Sequence, residues 1–252
     1  MDAVPRSFPR CISILAVAVW AAVALVPRGV VDAWQVAEAP KQAADAEAER
    51  GRVIAELDRT AANFHTAQAK FVWTQYTSVV NEKDLQEGVV YFRRTGQQVE
   101  MAADITKPTP KQVLFTDSKV QLYQPNIDQV TQYDTGKNRA VVESFLVLGF
   151  GGSGQDMLKS FTVSYLGRET VDGVATAKLD LVPKSDKARN TFEHICLWID
   201  LARGVSLQQQ LFAPENDYRL ASYSDIRLNE KIPDSAFKLK SSGNSRFLPP
   251  KG

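Results

Sequence analysis

The sequence has few of the residues on which disulfide-bonded, metal-binding and many catalytic proteins depend. Of its 252 residues, two are cysteine and two are histidine. Cys11 lies in an N-terminal apolar run, so Cys196 is the single thiol of the remaining chain, where no intramolecular disulfide is expected. A small buried hydrophobe is the favoured role for Cys196, over a reactive or intermolecular thiol. His65 and His194 are far apart, with no cysteine or carboxylate at a common metal-ligand spacing, so we expect no metal site.

Other absences bear on function. No Ser, His and carboxylate pattern marks a catalytic site, so we expect neither an enzyme nor a cofactor. Spacing alone leaves a glycosidase-type carboxylate pair open, but no feature singles out one pair, so a secreted enzyme ranks last among the hypotheses. The net charge is close to zero, because the chain has 30 Lys+Arg and 29 Asp+Glu. The first 33 residues hold three Arg and two Asp, so the remainder is neutral. Nucleic-acid binding needs a basic surplus, so we expect no nucleic-acid partner.

The N-terminus has the pattern of a secretory signal peptide. Arg6 and Arg10 precede the apolar run 11–26, which is shorter than the roughly 20 residues that a transmembrane helix needs. A signal over residues 1–33 is therefore favoured over an uncleaved membrane anchor, with cleavage after Ala33 or Ala39. We expect a flexible segment at 34–50 and a single soluble domain at 51–252.

Antiparallel strands are predicted to dominate this domain. Short turns separate runs rich in Val, Tyr, Phe, Leu and Thr. Strands joined by such turns pair with their sequence neighbours, which predicts an up-and-down meander. The meander strands are predicted at 88–94, 97–104, 111–117, 119–124 and 128–133. Further strands are predicted at 69–80, 161–166, 174–182, 191–199, 205–213 and 217–228, about ten in all.

Helices are predicted to interrupt the strands and to cover the sheet. Val53, Ile54, Leu57, Ala61 and Phe64 recur at helical spacing and form an apolar stripe that should face the sheet. Shorter helices are predicted within 140–148 and 155–160. A helical turn with an edge strand is predicted within 232–240, followed by a loop. The fold class is therefore mainly β with inserted helices.

A glycine-rich segment, GFGGSG at 149–154, matches the dinucleotide-binding pattern G-x-G-x-x-G. That pattern requires a parallel βαβ unit, whereas the strands around this segment are predicted to be antiparallel. We therefore interpret it as a loop between helices.

Large apolar residues on the predicted strands and inserted helices have two interpretations. They fill an ordinary core, or they enclose an apolar cavity between the sheet and the helices, and the sequence does not divide the set. The candidate cavity residues are Phe71, Trp73, Tyr91, Phe92, Met101, Leu114, Leu122, Tyr123, Phe145, Leu146, Leu148 and Met157.

Several short motifs resemble the LolA-type periplasmic carriers of outer-membrane lipoproteins, which share the LolA/LolB/RseB-type fold. The family has a Gly-initiated strand ending in a basic pair, here Gly88–Arg94, then a strand and a Ser-Asp-Gly-Lys turn, here Lys111–Phe115 and Thr116–Lys119. A strand of the form Leu-Trp-x-Tyr-x-Pro follows, here Val120–Pro125, and a later Leu-Trp-Ile-Asp segment is present at 197–200. The resemblance covers most of residues 50–240.

The resemblance implies an unclosed antiparallel β-barrel covered by an α-helical lid, with an apolar cavity that receives acyl chains. It implies a non-enzymatic monomer in the periplasm that carries lipoprotein acyl chains, or another amphiphilic lipid, towards the outer membrane. An inner-membrane releasing complex and an outer-membrane acceptor would be its partners. The alternative is an envelope sensor or accessory module that binds a protein on the same fold.

One residue role is also implied by the resemblance. In the family an Arg after the basic strand holds the lid by hydrogen bonds, and Arg94 is the matching position, although a solvated Arg at a strand end is equally compatible with the sequence. The sequence departs from the family pattern at Thr95, where Pro is usual, at Ser118, where Gly is usual, and in Val120–Tyr123, which lacks the Trp. These departures concern the cargo more than the fold, because an apolar cavity tolerates changes that keep volume and pattern.

Overall fold

The computed structural model describes residues 32–96, 98–116, 119–136, 145 and 148–248. The chain divides into two compact units after Pro40, and the described residues of the first unit, 32–40, are helical. The predicted signal peptide falls almost entirely on residues 1–31, outside the described part. Leu146 and most of the helix predicted at 140–148 also lie outside it.

Within the described ranges, twelve strands form one sheet. Helix α1 (Asp32–Ala62) precedes them, and two short helices, α2 (Gly154–Ser160) and α3 (Asp186–Arg189), interrupt them. The strands are β1 (Thr66–Thr77), β2 (Glu82–Thr95), β3 (Gln98–Lys107), β4 (Lys111–Thr116), β5 (Lys119–Gln124), β6 (Gln129–Asp134), β7 (Phe161–Val171), β8 (Val174–Pro183), β9 (His194–Asp200), β10 (Val205–Phe212), β11 (Tyr218–Leu228) and β12 (Arg246–Leu248). Short 3₁₀ helices occupy Pro125–Ile127, Pro214–Asn216 and Asp234–Phe237.

Two antiparallel meanders make up the sheet. The strand order is β12-β6-β5-β4-β3-β2-β1-β11-β10-β9-β8-β7, so β1 to β6 and β7 to β11 each follow chain order and meet where β1 pairs with β11. The Asp172-Gly173 turn between β7 and β8 has positive φ at both residues, the backbone that a two-residue hairpin requires. Within the described residues the edge strands β7 and β12 do not pair with each other, so the sheet stays open. The predicted antiparallel meander is confirmed.

Two features differ from the prediction. The first helix begins at Asp32, well before Val53, and residues 41–50 are helical and mostly exposed. An Ala-rich and charge-rich sequence forms helix readily without an apolar stripe, which explains the early start. The last strand, β12, lies at Arg246–Leu248 in the segment predicted to be a loop, and it pairs in parallel with β6. Three residues are too few for a periodic signal.

One side of the sheet, here called the inner face, carries Phe71, Phe92 and Met101. Two buried clusters cover it. The first packs Phe64 and Phe150 against β1, β2, β3 and β11. The second packs α1 and α2 against β7 to β9, with Val53, Ile54 and Leu57 at most 4% exposed. The helical stripe predicted from the sequence therefore faces the sheet, as expected.

Helix α1 also protects the edge of the sheet at β7. The Arg50 guanidinium donates a hydrogen bond to the Val163 carbonyl at 3.3 Å, and Arg168 on β7 pairs with Glu49 at 3.4 Å. A covered edge offers fewer free backbone groups to another chain, which limits strand addition and aggregation.

The opposite side, here called the outer face, is covered along β2 to β4 by the C-terminal segment 232–240. Phe237 and Ile232 are buried against Ala102 and Leu114. The buried Gln112 side chain donates to the Lys238 carbonyl at 3.0 Å and accepts from the Lys240 amide at 2.9 Å. Apolar contact and backbone pairing together hold this segment on the sheet.

The two glycines Gly88 and Gly51 provide a matched test of this packing. A methyl group at Gly88 would lie 2.9 Å from both the Phe71 ring and Cα of Ile105 and would overlap the Asp104 carbonyl, whereas one at Gly51 in α1 would meet open space. We expect Gly88→Ala to lower the free energy of unfolding by about 1–3 kcal/mol through overpacking. Gly51→Ala should raise it by about 0.5–1 kcal/mol. Urea unfolding measures both, and a Gly88→Ala protein as stable as the parent would contradict the packing described here.

Candidate functional site

Two aromatic residues, Phe150 and Phe64, cover the centre of the inner face and are called here the plug. Phe150, from the loop 148–153, is fully buried and stacks on Phe92 of β2, with ring centroids 4.7 Å apart and planes 12° from parallel. The edge of Tyr223 on β11 meets the same ring at 4.8 Å. Phe64, at the end of α1, belongs to the same cluster. Offset stacking and edge contacts of this kind add to the burial of apolar area.

The loop that carries Phe150 is held on the sheet by its backbone. The Ser206 amide donates to the Gly149 carbonyl at 2.8 Å, and the buried Gln209 side chain donates to the Leu148 carbonyl. The Tyr223 hydroxyl donates to the Gln209 oxygen at 3.3 Å, and burial raises the pKa of Tyr223, so this hydroxyl keeps its proton. Gly149 and Gly151 have φ of 78° and 77°, which favours glycine at both positions.

Arg94 connects the sheet, α1 and this loop. Its guanidinium donates to the Ala61 carbonyl at 2.8 Å and to the Gly151 carbonyl, and it lies 5.6 Å from the centre of the Phe64 ring. Hydrogen bonds from a charged donor are stronger than neutral ones. The Arg94 side chain therefore ties together the last turn of α1 and the glycine-rich loop, at the position named from the sequence.

The candidate cavity residues, which were predicted from the sequence as one set, lie in three different places in the structure. Those on the inner face are Phe71, Trp73, Phe92, Met101 and Leu122. Those in the cluster beneath α1 are Phe145, Leu148 and Met157. Tyr91, Leu114 and Tyr123 do not join them, because they lie on the outer face; Tyr91 and Leu114 pack near Phe237, and the Tyr123 hydroxyl donates to Asp128 at 3.1 Å. Side chains alternate between the faces of a strand, so neighbours such as Tyr91 and Phe92 must diverge.

A cleft of about 170 Å³ lies further along the inner face, where Trp73 of β1 pairs with Gln86 of β2, and no residue of the plug lines it. Its apolar wall is formed by Trp73, Ile105, Val113 and Leu122, and its rim by Gln75, Asp84, Gln86, Lys111 and Arg219. Pockets for small molecules usually measure about 300–1,000 Å³. In this conformation Phe71, Phe92 and Met101 are packed in the core, and the cleft leaves part of the inner face accessible at Trp73 and Leu122.

Some residues of the inner-face cluster and of a cluster on the outer face were not predicted from the sequence. Tyr223 on β11 packs against Phe150, and its alternation with Ala221 was the available signal. On the outer face, Asp180, His194 and Cys196 come together although no metal-ligand spacing was recognised. His194 and Cys196 are two apart on one strand and so share a face, while Asp180 comes from the neighbouring strand, which the sequence does not place.

Comparison with known proteins settles the family. The model of the family "Outer membrane lipoprotein carrier protein LolA" matches residues 62–240. The chain belongs to the LolA family. A search of curated proteins found no match.

Solved structures are similar to this LolA-family chain at low identity. An uncharacterized conserved protein from Thermus thermophilus has a TM-score of 0.51 and 10% identity, with 79% of this chain and 98% of that one covered. A putative outer membrane lipoprotein-sorting protein domain from Vibrio parahaemolyticus has a TM-score of 0.41 and 11% identity, covering 75% and 97%. A chain of the Pseudomonas aeruginosa MucA/MucB complex has a TM-score of 0.46 and 11% identity, covering 76% and 61%.

The mainly β structure with an unclosed twelve-stranded sheet agrees with an open LolA-like barrel. Among the described residues, no helix is long and apolar enough to cross a membrane.

Arg93 and Arg94 are adjacent on β2 and point to opposite faces, which makes them a matched pair. We expect Arg94→Leu to lower the free energy of unfolding by roughly 1.5–3 kcal/mol, because the Ala61 and Gly151 carbonyls lose a charged donor. Amide hydrogen exchange should become faster across residues 148–157. Arg93 instead contacts Asp234 at 2.5 Å and the Phe237 ring at 4.2 Å, so Arg93→Leu should loosen residues 232–240 and leave the loop protected. Equal loop exchange in the two variants would show that Arg94 does not hold the loop.

Proposed function

We propose that this LolA-family protein is a periplasmic carrier that binds the acyl chains of lipoproteins, or of a related amphiphilic lipid, against the inner face of its open sheet. The observation that carries the proposal is the aromatic plug: Phe150 sits on the inner face on a loop held by Arg94 and by a few backbone contacts. Phe145, the segment 148–160 and residues 41–62 of α1 act as the lid.

The structure corresponds to the closed, unloaded state in this proposal. The cleft beside Trp73 and Leu122 is smaller than most ligand pockets, so cargo enters by displacing the plug. An acyl chain then covers Phe71, Phe92 and Met101 in place of Phe150. Apolar surface is buried in both the closed, empty protein and the loaded protein. The free-energy difference between these two states is therefore small, and binding of a partner can shift the equilibrium between them.

Release follows from the same balance. Burial of an acyl chain contributes about 0.8 kcal/mol per methylene, so a carrier that only gained contacts on loading would keep its cargo. When the cargo leaves, the Phe92–Phe150 stack and the Arg94 hydrogen bonds form again. The free energy of these contacts offsets part of the affinity of the protein for the acyl chain. An inner-membrane complex would load the protein and an outer-membrane acceptor would unload it; the carrier itself acts as a monomer and performs no covalent chemistry.

The cargo is tested by purifying the protein from a bacterial envelope and identifying bound molecules by native and denaturing mass spectrometry. A lipoprotein or diacyl lipid in the parent protein is the expected result. Leu122→Glu places a charge in the apolar wall of the cleft and should weaken uptake of a fluorescent acyl probe at least about tenfold, or 1.4 kcal/mol.

Leu85→Glu is the matched control, because Leu85 is 49% exposed on the outer side of β2, next to the cleft residue Gln86. It should bind the probe like the parent. If Leu122→Glu and Leu85→Glu took up the acyl probe equally, the inner face would not be the binding site. An empty parent protein that takes up no probe, and instead captures an envelope protein stoichiometrically, would replace the carrier by a protein-binding module.

A further inference from the structure

The outer face carries a cluster of three side chains whose chemistry is unrelated to acyl-chain binding. Asp180 on β8 lies directly opposite Cys196 on β9 in the antiparallel register, and His194 precedes Cys196 by two residues on the same strand. Cross-strand partners and alternate residues share a face, so the three side chains converge above one point of the sheet. Their potential ligand atoms all lie within 4.8 Å of one another.

Of the two contacts within this cluster, one has about the spacing of a tetrahedral metal site and the other has that of a hydrogen bond. Nδ1 of His194 lies 2.6 Å from Oδ1 of Asp180, and Sγ of Cys196 lies 3.7 Å from the same oxygen. Ligands around a tetrahedral Zn²⁺ stand about 3.3–3.6 Å apart, given bonds of about 2.0–2.3 Å. The sulfur and carboxylate are already near this spacing, and a rotation of the carboxylate that moves its oxygen by less than about 1 Å would open the His194 side.

The surroundings favour a fixed site with one open side. The Phe212 ring stacks on the His194 ring at 4.2 Å and 5°, which limits rotation of the imidazole. Cys196 is 6% exposed among Trp198, Leu207 and Val171. The side chains of His194 and Asp180 are 36% and 24% exposed, so an ion has access from solvent.

The charges near the cluster are compatible with a divalent cation. The neighbouring Lys178 is paired with Glu169 at 2.8 Å, which offsets its positive charge. Burial, with the negative charge of Asp180 beside it, raises the pKa of the Cys196 thiol to about 11. A metal must displace this proton to bind the sulfur, so the raised pKa opposes binding, and the support for a site comes from the geometry of the cluster.

We propose that Asp180, His194 and Cys196 form a three-ligand site for Zn²⁺, with a fourth position open to solvent. The combination of a thiol, an imidazole and a carboxylate matches the ligands that zinc prefers and differs from the all-oxygen sites of Ca²⁺ and Mg²⁺. The competing interpretation is a His194–Asp180 ion pair beside an inert buried thiol. The zinc site lies on the outer face, so the result of its test does not depend on whether the carrier proposal is correct.

The test is titration of the reduced, metal-stripped full chain with Zn²⁺ and, separately, with Co²⁺ as a spectroscopic probe. We expect one Zn²⁺ per chain, and for Co²⁺ the visible bands of a tetrahedral site together with a thiolate charge-transfer band. His194→Ala and Cys196→Ala should each weaken Zn²⁺ binding by at least about 100-fold, since changes to outer-shell residues alone cost about 10–100-fold.

Two variants make the result specific. His65→Ala removes the other histidine, which is exposed and distant from the cluster, and should bind Zn²⁺ like the parent. Asp180→Asn keeps the size of the side chain and should weaken binding while far-UV circular dichroism stays unchanged. Binding that is lost in His65→Ala, a Co²⁺ complex without the thiolate band, or no Zn²⁺ binding by the parent would each overturn the proposal and leave the ion pair as the role of the cluster.

Discussion

The packing of Phe64 and Phe150 on the inner face is the contact on which the rest of the structure depends. An open sheet with an apolar inner face must be covered, because exposed apolar area of that size is unfavourable in water. The chain covers it with α1 on one half and with the plug on the other. Full burial of one phenylalanine contributes about 1.5–3 kcal/mol, which in the proposed mechanism is small enough for an acyl chain to replace the plug.

The hydrogen bonds around the plug determine how it can move. Arg94, Gln209 and the Ser206 amide all bind carbonyl groups of residues 148–151 or of the last turn of α1. These bonds join separate elements, so breaking them releases the loop without unpairing any strand. The outer face is different, because segment 232–240 adds Phe237 and Ile232 to a continuous cluster, and β12 further along the chain pairs with β6. In the proposed mechanism the inner face has a cover that cargo replaces, and the outer face has a cover that stays in place.

Local signals in the sequence predicted the meander, the hairpin turns and the stripe of α1, because each depends on residues close together in the chain. The division of Tyr91, Leu114 and Tyr123 from Phe92 and Leu122 was not predicted, because both faces of these strands are apolar. Arg94 was named through family resemblance, but its partners are backbone carbonyls, which leave no mark in the sequence. Asp180 and Cys196 meet only through strand register, a property of the whole sheet.

The most direct test of the central claim is hydrogen exchange of the full chain with and without a diacyl lipid delivered from detergent. If the lipid replaces the plug, amides in residues 148–153 exchange faster in the loaded protein, while those of β1 to β3 beneath the cargo exchange more slowly or unchanged. Lipid bound at one equivalent with the loop as protected as in the empty protein would contradict the account, because the cargo would then lie somewhere other than on the inner face beneath Phe150.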